Sequence, residues 1–370
     1  MGKKIAIIGS RGIPARYGGF ETFTEEIGTR LVARDYEVCV SCESGSLPEY
    51  KGVKLLYSPV KPVFRSVYEI LYDVYFLFRT YPVCDAVYVL GIGSAPCFFI
   101  SKIFKKKIIL NFDGIEWKRN KFNRFQKGIL YFQGMCAILF SDVIVADALA
   151  IKGYIESKGG KNVVYIPYGV ETPEAGRWDP EKITRSGERL KCLEEDQYYL
   201  VVARLEPENN IHVIIEGFLS SGSTKKMVII GDFQNKKYGA LVEETMKRSD
   251  GRDRVIFTGS IYEKDLLNML RQHCFVYLHG HSVGGTNPSL LEAMAMKNII
   301  LAHDNEYNRE VGGDTLLYFP SPEGLADRIR MIESDPAAYQ ELKDTASRRV
   351  SECYSLEKVT SEYDKLFKSL

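Results

Sequence analysis

Short apolar runs alternate with longer amphipathic stretches along the whole chain. The runs have the length of β-strands, and the stretches between them carry apolar residues at the spacing of helices that cover a sheet. This alternation is typical of parallel α/β domains, because a parallel strand reaches its neighbour through a crossover helix. The pattern predicts thirteen strands, at Lys4–Gly9, Glu37–Ser41, Val53–Tyr57, Ala86–Leu90, Lys107–Asn111, Asp142–Ala146, Val163–Ile166, Tyr198–Ala203, Met227–Ile230, Val255–Thr258, Phe275–Leu278, Ile299–Ala302 and Leu316–Phe319.

The alternation is interrupted once, over residues 172–196, which are polar, charged and punctuated by Pro and Gly. A segment of this composition predicts a hinge between two domains. The final residues, 335–370, have the pattern of two helices. With 370 residues, of which 45% are hydrophobic and 26% charged, the chain can bury two domain cores.

The composition also excludes some classes of protein. The longest uncharged run, Gln272–Leu291, is rich in His, Gly, Asn and Pro, so no segment has the character of a membrane span. The N-terminus begins at once with a predicted strand and shows no signal peptide. We therefore expect a cytoplasmic enzyme.

A strand, a loop and a helix are predicted in the segment His279–Met296. Asn287 is a suitable N-cap, and Pro288 suits the first helical position, where a missing N–H is harmless. Gly284 and Gly285 lack a Cβ, so a bulky group can approach their backbone closely. The free N–H groups at such a helix start favour a phosphate.

Glu292 follows about one turn into the same helix, where its carboxylate could accept hydrogen bonds from sugar hydroxyls beside that phosphate. An ordinary βα turn with a surface glutamate would give the same local pattern. Both interpretations stay open at this level.

The segment resembles the nucleotide-sugar signature of the retaining GT-B glycosyltransferases called family four. The resemblance implies that the backbone from Gly284 to Asn287, with Gly285 and Thr286, holds the donor diphosphate, and that Glu292 contacts the nucleotide ribose. Gly284 stands where the family usually has a second glutamate, so a side chain is missing from the donor site. The variant HSVGGTNPSLLEAM resembles a polysaccharide branch that includes many rhamnosyltransferases.

The resemblance spans nearly the whole chain and implies an α/β fold of the GT-B type. In that fold two Rossmann-like domains face a central cleft, and the C-terminal helix crosses back to the first domain. The expected division is residues 1–170 for the acceptor-side domain, 171–350 for the nucleotide-sugar domain and 351–370 for the returning helix.

A second motif follows the strand at Tyr198–Ala203 and is similar to the family's GRL-x-P-E-K-G. Arg204 matches the arginine that clamps the donor diphosphate, and bidentate binding of phosphate suits a guanidinium. Asn209 occupies the position of the family's lysine. The alternative for Arg204 is a surface arginine paired with Glu206 or Glu208.

The loop after the first strand is not a G-x-G-x-x-G turn, which disfavours a nicotinamide cofactor. It is similar to the family's GG-x-E, matched by Gly18, Gly19 and Glu21, with the glycines near the donor diphosphate or the acceptor. Arg11 and Arg16 on this loop are candidates for an acceptor phosphate, or they are simply solvated.

Asp113 follows a strand of the first domain where many relatives have a histidine that touches the transferred sugar. It is our candidate for the reaction centre, and Glu116 comes second, although either could instead cap the following helix. We also assign His281 to the accessory residues. The chain has no D-x-D and no cluster with metal-ligand spacing, so we expect no metal and no other cofactor.

These observations predict a metal-independent glycosyltransferase that moves a hexose, with rhamnose first among the candidates, from a dTDP- or UDP-linked donor. The expected acceptor is a lipid-linked or surface polysaccharide, and no nucleic acid is expected. The alternatives are a GT-B sugar-nucleotide epimerase and a non-catalytic module that binds nucleotide sugars.

Charge adds a prediction about the membrane. Residues 1–166 hold 23 Lys and Arg against 15 Asp and Glu, a net charge of +8, whereas the remainder has a net charge of −7. With aromatic stretches at Val63–Tyr81 and Phe122–Phe140, this predicts contact with the inner face of an anionic membrane. The alternative is that these faces pack on the sheet. The predicted face of the first stretch comprises Phe64, Val67, Tyr68, Leu71, Tyr75 and Phe78.

Overall fold

The apolar runs form two separate sheets, one in each half of the chain. The structure is a computed structural model and describes residues 2–15, 18–59, 65–100, 103, 106–119, 122–173, 176–233, 235–248 and 250–370. The chain divides into two compact units. Unit 1 comprises Met1–Tyr168 together with Leu356–Leu370, and unit 2 comprises Gly169–Ser355.

The strands of unit 1 form one sheet, and they are β1 (Lys4–Ile8), β2 (Glu37–Cys42), β3 (Glu49–Tyr50), β4 (Val53–Tyr57), β5 (Ala86–Leu90), β6 (Lys107–Asn111), β7 (Val143–Ala146) and β8 (Val163–Tyr165). Their order is β3-β4-β2-β1-β5-β6-β7-β8, and every pair is parallel except β3 with β4. The central strands are covered on both faces, since every residue of β5 is buried.

The first helices of unit 1 are α1 (Gly19–Val32), α2 (Arg65–Thr80), α3 (Arg124–Phe140) and α4 (Leu149–Ser157). Helix α3 begins with a capping box, in which Asn123 Oδ1 accepts from the N–H of Gln126 and the Gln126 side chain accepts in return from the N–H of Asn123. Its buried side consists of Gln133, Gly134, Ala137 and Ile138.

The sheet of unit 2 is wholly parallel and consists of β9 (Tyr198–Val202), β10 (Lys226–Ile230), β11 (Val255–Gly259), β12 (Val276–His279), β13 (Ile300–His303) and β14 (Leu317–Phe319). The strand order is β11-β10-β9-β12-β13-β14. The chain therefore reverses its direction of travel between β9 and β12. In open α/β sheets ligands bind at the carboxyl ends of the strands beside such a switch point.

The helices of unit 2 are α5 (Pro180–Arg185), α6 (Ile211–Ser220), α7 (Lys236–Arg248), α8 (Lys264–Gln272), α9 (Pro288–Ala295), α10 (Glu306–Gly312), α11 (Pro322–Ser334) and α12 (Gln340–Cys353). Apolar residues of β9, β10 and β12 pack with Phe218 of α6 and Ile329 of α11 in one core. Among the described residues, no helix is long and apolar enough to cross a membrane.

The last helix, α13 (Leu356–Lys368), lies in unit 1. Its Tyr363 hydroxyl is 2.8 Å from the hydroxyl of Tyr88 in β5, and its Asp364 carboxylate accepts from the Tyr36 hydroxyl at 2.8 Å. Both tyrosine rings of the first pair are buried. Helix α13 is thus part of the core of unit 1.

The predicted α/β fold with two Rossmann-like sheets is confirmed, and each predicted strand is present with its ends shifted by one residue at most. The prediction missed β3, whose two residues are too short to show periodicity. The units also differ slightly from the expected boundaries, because the chain leaves unit 1 after Tyr168 and returns at Leu356.

For one residue of the predicted α2 face, the structure supports the alternative of packing within the domain. Tyr68, with Tyr72 and Phe76 beside it, is buried, because this side of α2 packs within unit 1. Leu71 and Phe78 are exposed. Two other positions of the predicted face, Phe64 and the side chain of Val67, lie outside the described residues. The membrane prediction also relies on a basic cluster within residues 102–127, of which Lys102, Lys105 and Lys121 lie outside them too.

Helix α3 offers a matched pair of glycines that tests its packing. A Cβ at Gly134 would lie 2.1 Å from the Trp117 ring, whereas a Cβ at Gly128 would meet nothing within 4 Å. Overpacking costs about 1–3 kcal/mol and exceeds the gain in helix propensity of roughly 1 kcal/mol. Gly134→Ala should therefore lower the urea midpoint of unfolding, and Gly128→Ala should raise it. Equal gains would contradict this packing.

Candidate functional site

The start of helix α9 has the predicted cap. Asn287 Oδ1 accepts from the N–H of Ser289 at 2.9 Å, and Pro288 occupies the first helical position. Gly284, in the loop before the helix, has φ +127°, a conformation that glycine adopts freely. The conformation of this turn is therefore determined by its own residues.

Two hydroxyl groups hold the start of α9 against the end of β9. Ser289 Oγ donates to the carbonyl oxygen of Val202 at 3.0 Å, and the Tyr277 hydroxyl lies in hydrogen-bond contact with Ser289 Oγ. Burial raises the pKa of Tyr277 to about 12, so its hydroxyl keeps its proton at neutral pH. These bonds fix the helix relative to the sheet.

Backbone amides of the loop are free to bind a ligand. The N–H groups of Gly284, Gly285 and Asn287 donate no hydrogen bond to any residue in the described part of the chain. Thr286, which stands between them, is buried. Unpaired amides at a helix start, together with the helix dipole, form a site for an anion.

Glu292 has a partner that the sequence did not indicate. Its Oε2 lies 2.5 Å from Nη2 of Arg271, a side chain of helix α8 that is 4% exposed. Glu292 itself is about one third exposed, so the carboxylate is held by Arg271 on one side and open to solvent on the other. Removing either member would leave a charge with no partner, which is costly where the group is buried.

Arg204 lies in the loop after β9, and its side chain is exposed. Its guanidinium makes no hydrogen bond or ion pair with any residue that the structure describes. The alternative in which Glu206 or Glu208 neutralises it is therefore wrong for this structure. A cation free of partners at the carboxyl end of a parallel strand is available to a phosphate.

Asn209 joins two loops. Its Nδ2 donates to the carbonyl oxygen of Arg204 at 2.6 Å, and its Oδ1 lies 2.8 Å from Nδ1 of His281. The carbonyl oxygen of His281 in turn accepts from the side-chain amides of Asn305 and Asn308, each at 2.9 Å. Asn209 and His281 thus act as a structural junction.

His279, at the end of β12, is buried, and its Nε2 has no hydrogen-bond partner among the described residues. Burial, with smaller contributions from His281 and His303, lowers the pKa of His279 well below its usual value. The ring is therefore neutral at physiological pH. It stacks on Tyr277 with 6.3 Å between ring centres, so it supports the hydroxyl that anchors α9.

The loops after β10 and β11 also meet. The N–H of Gly231 donates to the carbonyl oxygen of Gly259 at 3.0 Å, and the Asp232 carboxylate accepts from the Ser260 hydroxyl. A Cβ at Gly231 would lie 1.8 Å from the carbonyl oxygen of Ala203, so only glycine fits there. The loops that end β9, β10 and β11 therefore form one continuous edge.

In unit 1, the predicted GG-x-E loop is closed by its own glutamate. Glu21 Oε1 accepts from the N–H of Arg11 at 3.0 Å, and a Cβ at Gly18 would lie 2.0 Å from Glu21 Oε2. Glu21 thus shapes the loop, while Gly19 leaves open space in front of α1. The exposed guanidinium of Arg11 has no partner among the described residues, and Arg16 lies outside them.

Asp113 accepts a hydrogen bond from the Tyr168 hydroxyl at 3.1 Å. The capping alternative is wrong for both acidic candidates, since the next helical turn has no side-chain cap and Asn123 caps α3. Glu116 pairs with Arg119 at 2.9 Å. Burial, then Asp113, raises the pKa of Tyr168 well above its usual value, so this hydroxyl remains a donor.

Two carboxyl groups of unit 1 were missed. Asp147 is buried and follows β7 as Asp113 follows β6, a repeated position that could have indicated it. Its charge contributes to the raised pKa of Tyr168. Asp73 of α2 is 9% exposed, and burial raises its pKa well above the usual value. No sequence signal marked Asp73, because one charged residue does not disturb the amphipathic pattern of the helix.

Among the described residues, no group of three or more His, Cys, Asp or Glu side chains is arranged to hold a metal ion. The candidate residues instead fall into two sets. Arg204, Asn209, the loop from His281 to Asn287 and Glu292 gather in unit 2, whereas Gly18, Gly19, Glu21, Asp113 and Glu116 belong to unit 1.

Comparison with protein families separates the two halves in the same way. Residues 2–171 match the family Domain of unknown function (DUF1972), and residues 184–349 match the family Glycosyl transferases group 1. No curated protein matches the sequence significantly.

Solved structures share the architecture over the whole chain. HepE of Anabaena, solved with UDP and glucose, has a TM-score of 0.79 at 16% identity and covers 100% of both chains. Sucrose-phosphate synthase of Thermosynechococcus elongatus has a TM-score of 0.83 at 14% identity, covering 99% of this chain and 98% of the other. The UDP-forming α,α-trehalose-phosphate synthase of Burkholderia vietnamiensis gives 0.73 at 14% identity, with 100% of both chains covered. The chain therefore has the GT-B fold, and residues 184–349, within its second unit, match the Glycosyl transferases group 1 family.

Proposed function

We propose that the protein is a retaining glycosyltransferase of the family-four type that moves a hexose from a nucleotide diphosphate sugar. The observation that carries the proposal is the combination of an unpaired Arg204 with the free amides before α9, on neighbouring strands at the switch point of unit 2. A guanidinium and several N–H groups at one sheet edge suit a diphosphate. The complexes of HepE with UDP and with UDP-glucose support a UDP-linked donor, and dTDP stays the alternative.

The proposed roles in unit 2 follow from charge. The diphosphate would lie against Arg204 and the amides of Gly284, Gly285 and Asn287, and Glu292 would accept from the ribose hydroxyls. Arg271 holds the Glu292 carboxylate in place. The proposal therefore assigns the charge of the departing diphosphate to protein groups and not to a metal ion.

In the proposed reaction, the bond between the anomeric carbon and the phosphate oxygen breaks as the acceptor oxygen bonds to that carbon from the same face. The acceptor hydroxyl transfers its proton to the departing phosphate oxygen, so no carboxylate nucleophile is needed. Asp113, oriented by Tyr168, is assigned to the transferred sugar. The resemblance of the α9 motif to the rhamnosyltransferase branch favours rhamnose and a lipid-linked or surface polysaccharide acceptor, made at the cytoplasmic face of the membrane.

Nucleotide binding can be tested by thermal shift, since a ligand that binds only the native state raises the unfolding temperature. UDP or dTDP should stabilise the wild-type protein. Glu292→Gln should weaken this binding by roughly tenfold or more, because a charged acceptor is lost. The exposed Glu341→Gln is the control and should bind normally. Unchanged affinity in Glu292→Gln would rule out the ribose contact.

Turnover tests the reaction itself. With a donor that binds, the wild type should release nucleotide diphosphate only when an acceptor is present. Arg204→Ala should lower kcat by about two orders of magnitude if the guanidinium stabilises the leaving group, without loss of stability. Arg248→Ala, at an exposed position of α7, is the control. If the donor sugar is altered when no acceptor is present, the protein is the epimerase. If the donor binds without turnover, the protein is the binding module.

Variants of Asp113 and Tyr168 separate the effect of the carboxylate charge from the effect of its hydrogen bond. Asp113→Asn can still accept from the Tyr168 hydroxyl, so the variant should fold and bind nucleotide yet lose most transfer. Tyr168→Phe keeps the carboxylate and removes only its hydrogen bond, so it should lose less activity. The assignment is refuted if Asp113→Asn loses stability while keeping its activity per folded molecule.

A further inference from the structure

The outer face of helix α3 is unusually apolar for a surface. Phe125 is 78% exposed, Ile129 44%, Phe132 61% and Leu139 69%. Their spacing of three, four and seven residues places them on one side of the helix, opposite the buried side formed by Gln133, Gly134, Ala137 and Ile138. We call these four exposed residues the α3 ridge.

A contiguous row of large exposed apolar side chains often marks an interaction surface. The charges of helix α3 indicate which kind. Helix α3 contains Arg124 and Lys127 and no acidic residue. Residues 1–166, which include the ridge, have a net charge of +8. The partner should therefore combine negative charge with an apolar layer.

The shape of the ridge disfavours a second copy of the chain. A helix of 17 residues is about 25 Å long, and a ridge about 10 Å wide then offers roughly 250 Å². A stable protein interface buries about 800 Å² on each partner. A bilayer needs no complementary surface, since protruding side chains enter it individually.

We propose that the α3 ridge inserts into the interfacial layer of an anionic membrane, with Arg124 and Lys127 at the headgroups. This inference deepens the proposed function, because a lipid-linked acceptor would give the contact its purpose. It also selects one of the two stretches expected from sequence, since α2 buries Tyr68, Tyr72 and Phe76 whereas α3 exposes Phe125 and Phe132. The contact requires no substrate, so it can fail without affecting the proposed reaction.

Co-sedimentation with vesicles tests the contact. The wild-type protein should bind phosphatidylcholine vesicles containing about 30% phosphatidylglycerol, bind pure phosphatidylcholine weakly, and dissociate as salt rises. The double variant Phe125→Ser, Phe132→Ser should bind the anionic vesicles roughly tenfold more weakly or worse, because binding scales with the apolar area inserted. Leu241→Ser with Met331→Ser, at exposed positions of unit 2, is the matched control and should bind like the wild type.

A fluorescence measurement shows whether the ridge itself enters the lipid. Phe132→Trp should shift its emission to the blue on anionic vesicles and be quenched by brominated lipid, whereas Leu241→Trp should do neither. Equal binding by the ridge variant and the wild type, or equal binding to neutral vesicles, would overturn the proposal. So would sedimentation velocity showing a wild-type dimer that the ridge variant dissociates, because the ridge would then be a protein interface.

Discussion

The hydrogen bonds from Ser289 and Tyr277 around the Val202 carbonyl determine where the chemistry of unit 2 lies. They join the start of α9 to the end of β9, two neighbouring elements in space that are far apart in sequence. Arg204 follows β9 directly, so the same contacts set its distance from the loop before α9. If these hydrogen bonds were lost, the Arg204 guanidinium and the backbone amides before α9 would no longer be held at one edge of the sheet. The pKa of Tyr277, raised by burial, keeps the anchoring hydroxyl protonated.

Asn209 explains how this chain can depart from the lysine of the related motif. A lysine at this buried position would place an ammonium group where the structure has a neutral amide that both donates and accepts. The amide cannot contribute charge, but it fixes the Arg204 backbone relative to His281. In the proposed donor site, the diphosphate charge would therefore fall more heavily on Arg204 and the helix start.

The sequence predicts the sheets well because the strands are buried on both faces and appear as continuous apolar runs. It also predicts the cap at Asn287, which depends on neighbouring residues alone. It fails where a partner is distant in sequence. Nothing near Glu292 indicates Arg271, and nothing near Asp113 indicates Tyr168. The face of α2 stayed open between two alternatives for the same reason, because an amphipathic pattern shows that a helix has two sides but not what each side touches.

The return of α13 to unit 1 has a consequence for biosynthesis. Tyr363 and Phe367 complete an aromatic cluster with Phe23 and Tyr88, residues that the ribosome makes more than 270 positions earlier. Unit 2 is continuous in sequence and can close as soon as its own residues have emerged. Unit 1 must wait with part of its core unfilled until the residues of α13 have also emerged. Unit 1 therefore completes its core after unit 2, although most of its residues are made first.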